Sequence, residues 1–260
     1  MAIPVFQVDA FTEQVFGGNP AAVCPLETWL PDDTLQAIAA EHNLSETAYL
    51  RRAQPGVYDL RWFTPAVEVD LCGHATLASA RVVFDHLEPW LDEVAFETRS
   101  GRLLVKRAGE KLAMDFPARR PVACAPPAGL IEGLGRQPQM VLKSRDFLAV
   151  FADEDEVRAL VPNMALLKTV PSLGVIVTAP GKNIDFVSRF FAPQAGIDED
   201  PVTGSAHSTL VPYWAERLGK TELHALQVSR RGGELWCKDL GERVEIAGQA
   251  VLYSRGTILL

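Results

Sequence analysis

The sequence is short of the features that mark several large protein classes. Its four cysteines, Cys24, Cys72, Cys124 and Cys237, include no Cys-x-x-Cys pair, and the ligand spacing of zinc sites is missing around Cys72, His74 and His207. That implies no disulfide framework and no metal. No apolar run approaches the roughly 20 residues needed to span a bilayer. There is no Gly-x-Gly-x-x-Gly and no P-loop, so no nucleotide cofactor is implied. Ser205 does not sit in a Gly-x-Ser-x-Gly elbow, because Thr203 takes the first glycine position. Long cationic runs are missing too: Arg51-Arg52, Arg119-Arg120 and Arg230-Arg231 are short and scattered in a chain of net charge -8. Nucleic acid, which needs a clustered cationic face, is therefore not the expected partner. The opening Met1-Ala2-Ile3-Pro4 carries no secretory pattern, so a reduced, cytoplasmic protein is expected.

What is present is ordinary globular composition: 260 residues, 48% hydrophobic and 22% charged. Such a chain can bury a core without disulfides or structural metal. Alternation predicts strands at residues 3–11, 21–24, 46–51, 57–64, 94–98, 102–106 and 111–115. Pro31-Asp32-Asp33 opens a helix that should end near Asn43. A second helix, from His74 to Phe84, is apolar or small on nearly every side, the pattern of a buried helix. Residues 117–127, rich in proline and arginine, read as a linker. Beyond it strands are expected at 147–151, 174–178, 185–191, 226–230, 235–238, 243–246 and 250–254. Helices are expected at 154–160 and from Gly204 towards Gly219, the latter kinked or restricted by Pro212.

The two halves echo each other. Phe63-Thr64-Pro65, Asp70 and Cys72-Gly73-His74-Ala75 precede one helix; Phe191-Ala192-Pro193, Asp200 and Thr203-Gly204-Ser205-Ala206 precede another. The prolines lie 128 apart (193 minus 65) and the glycines 131 apart (204 minus 73). An internal repeat of this kind predicts two similar halves of mixed strands, each around one buried helix. A glycine-led helix start presents unpaired N–H groups and partial positive charge, a place for a carboxylate. Two such starts acting on one molecule would hold a small anion and stabilise an enolate formed beside its carboxyl.

These motifs, with Phe6-Gln7-Val8-Asp9-Ala10-Phe11, Gly18-Asn19-Pro20-Ala21-Ala22-Val23 and Asn43-Leu44-Ser45-Glu46-Thr47, resemble the phenazine-biosynthesis (PhzF-type) isomerase family in order and over nearly the whole chain. The resemblance implies an α+β, diaminopimelate-epimerase-like fold: two pseudo-symmetric halves, residues 1–117 and 118–260, each a mixed, mostly antiparallel barrel-like sheet around a central helix. The last strand is allowed to return to the first half. It implies a cofactor-free isomerase acting on a small anionic metabolite, and a homodimer. Glu46 matches the family's catalytic glutamate; set beside Leu44, Ala48 and Tyr49, it is expected to be partly desolvated and to move a proton between carbons. His74 matches the active-site histidine, either shuttling a proton or binding the substrate carboxylate. Asp200 matches the active-site aspartate, either holding a substrate amino group or bonding to Glu46. Ser205, with the Gly73 and Gly204 amides, is expected to bind the anion, with Asn19 and Ser45 lining the site. Racemases of this fold use two cysteines, each before a glycine. Here Cys72 is matched by Thr203, whose hydroxyl is far too weak an acid for that role, so two-thiol racemisation is not expected. Epimerase, racemase or dehydratase chemistry through Cys72, and a non-catalytic small-molecule or protein-binding member of the fold, remain the alternatives.

Overall fold

The computed structural model describes residues 1–260, which form two compact units: Met1–Asp115 with Ile246–Leu260, and Phe116–Glu245. Both are mixed parallel and antiparallel sheet with few helices.

In the first unit β1 (Ala2–Ala10) pairs antiparallel with β2 (Asn19–Leu26). The turn between them needs glycine. Gly18 has φ +58°, and a Cβ there would lie 2.1 Å from the Ala10 carbonyl oxygen. Next, α1 (Asp32–His42) carries Asp32 and Asp33 in its first turn, favourable to the helix dipole. It packs Leu35, Ile38 and Ala39 against Ile3, Cys24, Tyr49 and Phe63, and the Tyr49 hydroxyl donates to the Leu35 carbonyl at 2.7 Å. Asn43 ends the helix in the left-handed conformation, φ 49°, one of the few residues that tolerates it. The chain then enters β3 (Glu46–Gln54), parallel to β2 with Ala21 opposite Glu46. β4 (Val57–Phe63) returns antiparallel to β3, and β5 (Glu68–Val69) pairs back onto its end.

The helix expected at 74–84 is α2 (Gly73–Val82), followed by a π turn over Val83–Leu87 in which the Glu88 amide reaches the Val83 carbonyl. Every residue of α2 except Arg81 is buried. It lies against β1, β2 and β3. Two of its polar side chains survive burial by bonding within the helix. Thr76 donates to the Cys72 carbonyl and Ser79 to the Ala75 carbonyl, at 2.5 and 2.7 Å. β6 (Glu93–Thr98) runs parallel to β4, and β7 (Gly101–Ala108) and β8 (Lys111–Pro117) follow as antiparallel hairpins.

The second unit opens with β9 (Val122–Ala123), inside the stretch expected to be a linker. That stretch is tied down: β9 pairs with β10 (Met140–Lys143), and the Arg119 amide donates to the Ser208 carbonyl at 2.8 Å. A short α3 (Leu130–Leu134) precedes β10. β11 (Phe147–Val150) leads through α4 (Glu154–Ala159) and α5 (Met164–Leu167) to β12 (Val175–Pro180), parallel to β11. β13 (Phe186–Ala192) is antiparallel to β12, and β14 (Ile197–Asp200) pairs back onto its end. α6 (Gly204–Leu218) then runs unbroken past Pro212. Proline at 212 frees the carbonyl four residues earlier, that of Ser208, and this is the one the Arg119 amide takes. Trp214 on α6 stacks on Phe186 and donates to Thr178 Oγ1 at 2.9 Å.

The strand expected at 226–230 is β15 (Glu222–Gln227), parallel to β13 and hairpinned with β16 (Gly233–Asp239). The expectation was set too late because Glu222 and His224 hide the alternation, while residues 228–232 are the turn. β17 (Arg243–Gly248) and β18 (Ala250–Leu259) end the chain, and β18 pairs antiparallel with β1 in the first unit.

The succession of pairings is the same in both units. Arg61 on β4 forks onto Glu68 on β5 at 2.7 and 2.8 Å and lies over the Phe63 ring. Arg189 on β13 forks onto Glu199 on β14 at 2.7 and 3.0 Å and lies over the Phe191 ring. The second copy carries its extra residues in a 3-10 turn, Pro193–Ala195, closed by Gly196.

Candidate active site

Three elements of the first unit meet at one point. Asn19 is the first residue of β2 and Glu46 the first of β3, and the parallel register sets these strand starts side by side. Cys72 and His74 belong to the start of α2, packed on both strands. Asn19, Glu46 and His74 are all buried, at 0%, 8% and 3% exposure, a setting in which polar groups are kept only with partners or a ligand.

The His74 ring has a different neighbour at each nitrogen. Nδ1 lies 3.0 Å from the Asn19 side-chain nitrogen and 3.5 Å from the Cys72 sulfur. Nε2 lies 3.1 Å from Glu46 Oε2. That last contact is within ion-pair distance but lacks hydrogen-bond alignment, so Oε2 and Nε2 are both buried without a hydrogen-bond partner. Two orphaned groups aimed at one spot are what a site looks like when it is shaped for a further polar group. With the Asn19 amide donating, Nδ1 is an acceptor and the proton of neutral imidazole sits on Nε2, towards Glu46. Turned over, the same amide offers its carbonyl oxygen to an imidazolium, so one partner serves both charge states.

Burial by itself would push the His74 pKa down; the Cys72 sulfur and the Glu46 carboxylate oppose this and hold it well above the ordinary imidazole value. Burial pushes the Cys72 thiol up to about 11, so at neutral pH the sulfur is uncharged and Glu46 is the anion that stabilises the imidazolium. A thiol so held is a poor base, which counts against chemistry through Cys72. It is nonetheless no passive core residue, since it touches the ring. Ser45 is half-buried in the bend before Glu46. The carboxylate of Glu46, the Cys72 sulfur and a His74 ring nitrogen all lie within 4.8 Å of one another. Linear spacing hid this donor set, because its members come from β3 and the start of α2.

The second unit has its own cluster. Asp200 ends β14, Thr203 precedes α6, and Gln227 ends β15; all three are buried. The Thr203 hydroxyl donates to Asp200 Oδ2 at 2.5 Å. Gln227 accepts from the Thr203 amide at 2.8 Å and donates to the Asp200 carbonyl at 2.7 Å. Gln227 escaped sequence reasoning because its strand was placed too late. His207 is structural: its Nδ1–H donates to the Thr203 carbonyl at 2.9 Å, and burial lowers its pKa to about 4. Ser205, in the first turn of α6, accepts from Arg145 at 3.4 Å. Arg145 also pairs with Asp146 at 2.9 Å. Nearby, Arg119 has its pKa lowered by burial and then by the charge of Arg145. Two guanidinium groups beside a helix N-terminus form a setting for an anion. Nothing in the short Lys143-Ser144-Arg145-Asp146 stretch marked Arg145 in advance.

Residues 8–256 match the family model described as phenazine biosynthesis-like protein. The chain belongs to the phenazine biosynthesis-like family. It is 56% identical over its whole length, and the whole of the relative's, to an uncharacterized isomerase of Pseudomonas aeruginosa. It is 41% identical to phenazine biosynthesis-like domain-containing protein 1 of Mus musculus, with 99% of each chain covered. The crystal structure of a PhzF-family phenazine biosynthesis protein of Enterococcus faecalis superposes with TM-score 0.96 at 46% identity, covering all of both chains. Several such relatives are named isomerases, and this member of the family is an isomerase.

Proposed function

We propose that this isomerase moves a proton between two carbons of a small carboxylated metabolite, with Glu46 as the acid–base group and no cofactor. The observation that carries the reading is the buried, unbonded approach of Glu46 Oε2 to His74 Nε2 at 3.1 Å. Glu46 takes the proton from a C–H bond next to a carboxyl group, and the electron pair delocalises into that carboxyl as an enolate. Glu46 then returns the proton to a second carbon, so the reaction is redox-neutral and releases nothing. His74 stabilises the carboxylate form of Glu46 and can carry the proton between positions.

The anion is assigned to the second cluster: the first-turn amides of α6 with Gly204, the Ser205 hydroxyl, and Arg145 with Arg119. Gly73 leads the matching helix start, Asp200 is assigned to the polar part of the substrate, and Thr203 holds Asp200 in place. In this reading the two units are copies of one plan, each with its own glycine-led helix start. The matching succession of pairings and the two Arg–Glu forks support it.

The test is exchange of carbon-bound hydrogen in deuterium oxide, followed by proton NMR over a panel of small amino, hydroxy and unsaturated acids. Wild type is expected to wash deuterium into at least one of them, and Glu46→Gln to lose at least about a hundredfold of that rate. A Glu46→Gln variant exchanging at the wild-type rate would sink the assignment.

A further inference from the structure

The mechanism uses Glu46 and His74 but leaves the Cys72 sulfur without a task. We infer that Glu46, Cys72 and His74 form a binding site for a soft divalent cation, Zn²⁺ above all, and that the cation blocks proton transfer there. The blocking half of the inference rests on the acid–base role of Glu46; the binding half does not.

The donor set is one carboxylate, one thiol sulfur and one imidazole nitrogen, the mixture that suits Zn²⁺ or Co²⁺ rather than the all-oxygen shells of Mg²⁺ and Ca²⁺. Size agrees as well. Ligand bonds of 2.0–2.3 Å in a tetrahedron place donor atoms about 3.5 Å apart. Glu46 Oε2 and His74 Nε2 already stand 3.1 Å apart, the Cys72 sulfur lies 3.5 Å from Nδ1 of the same ring, and one donor atom from each of the three residues lies within 4.8 Å of the other two. Closing the set on Nε2 has the Cys72 sulfur swing from its place beside Nδ1 towards Nε2, and water takes the fourth position, as in catalytic zinc sites. The bonding state of these two atoms points the same way: Oε2 and Nε2 are buried at ion-pair distance yet without hydrogen-bond partners. Asn19, at 3.0 Å from Nδ1, plays the outer-shell part once its amide is turned so that the carbonyl oxygen accepts from Nδ1–H, which leaves the Nε2 lone pair for the metal.

On binding, Cys72 gives its thiol proton and His74 its Nε2 proton to solvent, and sulfur and nitrogen bond to the metal with no change of oxidation state. The Glu46 lone pair that would accept a carbon-bound proton is then held by the cation. Zn²⁺ is thus an inhibitor of this site, in competition with substrate.

The experiment uses the full chain, reduced, chelator-treated and kept under argon. Co²⁺ is titrated in while the near-ultraviolet thiolate-to-cobalt band and the visible bands of tetrahedral Co²⁺ are followed, and Zn²⁺ is then added to displace it. One equivalent is expected to bind with a thiolate band. Cys72→Ser should abolish that band, Glu46→Gln should weaken binding at least about tenfold, and Cys124→Ser should keep the full signal. Circular dichroism on Cys72→Ser and Cys72→Ala separates loss of a ligand from loss of the fold. A wild-type protein without the band, or a band that persists in folded Cys72→Ser, overturns the site. Deuterium exchange that continues at the wild-type rate with the site filled by Zn²⁺ overturns the blocking. If wild type exchanges nothing on the panel, the proposed function fails while the cobalt spectrum still decides the site.

Discussion

His74 is held between chemically opposite neighbours, an amide at Nδ1 and a carboxylate at Nε2. Which nitrogen carries the proton decides whether Glu46 is backed by a donor, and Asn19 makes that choice. Replacing Asn19 by leucine keeps the volume and removes the choice. At a pH high enough to make the ring neutral, the expected result is a mixture of His74 tautomers in nitrogen-15 NMR, with a fall of about ten- to a hundredfold in kcat and little change in KM. An unchanged tautomer would assign Asn19 to packing alone. Much of this residue-level picture was legible in advance: the motifs marked Glu46, His74 and Asn19. Their order of contact was not, since a sequence names residues and leaves open which atom of a ring meets which neighbour. Cys72 was the harder case, because nothing in a lone cysteine distinguishes a core thiol from one touching a buried histidine ring.

Among the elements, the turn before β2 and the start of α6 carry the most testable consequences. Gly18 sets the entry of Asn19, and its left-handed φ of +58° and the 2.1 Å approach of a Cβ to a backbone oxygen leave no room for alanine. Gly18→Ala is expected to cost about 2 kcal/mol or more in denaturant unfolding, and to lower activity through displaced Asn19. His207 links α6 to pH. Its folded-state pKa lies near 4, below the ordinary imidazole value of 6.5. A buried base depressed in this way contributes stability fully above pH 6.5, and that stability is lost as pH falls towards 4. The reason is that the unfolded chain takes up the proton first. The loss is at most about 3 kcal/mol. Melting temperatures between pH 7 and 4 should therefore fall more steeply in wild type than in His207→Gln; parallel curves would remove His207 as the cause.

Elements with strong periodicity were readable, as with α2, whose unbroken run of small and apolar residues announced a buried helix. Those that depend on distant partners were not. β9 exists only because β10 lies beside it, β14 is held by Arg189–Glu199, and α6 stays unbroken at Pro212 because Arg119 supplies a donor for the Ser208 carbonyl.

Over the whole molecule, a short repeat of about a dozen residues stood for two units with the same succession of strands. The arithmetic of 128 and 131 residues is explained by the 3-10 turn at Pro193–Ala195 that only the second copy carries. The copies have diverged in chemistry. The first holds a carboxylate against an imidazole, and the second holds guanidinium groups beside a helix start. The proposed function assigns proton transfer to the first cluster and anion binding to the second, and a kinetic comparison tests each assignment separately. On the acid that the exchange panel identifies, Glu46→Gln should lose kcat at least about a hundredfold, whereas Arg145→Ala should raise KM about tenfold or more with kcat nearly kept. Wild-type kcat in Glu46→Gln, measured as deuterium entering carbon, would contradict the account.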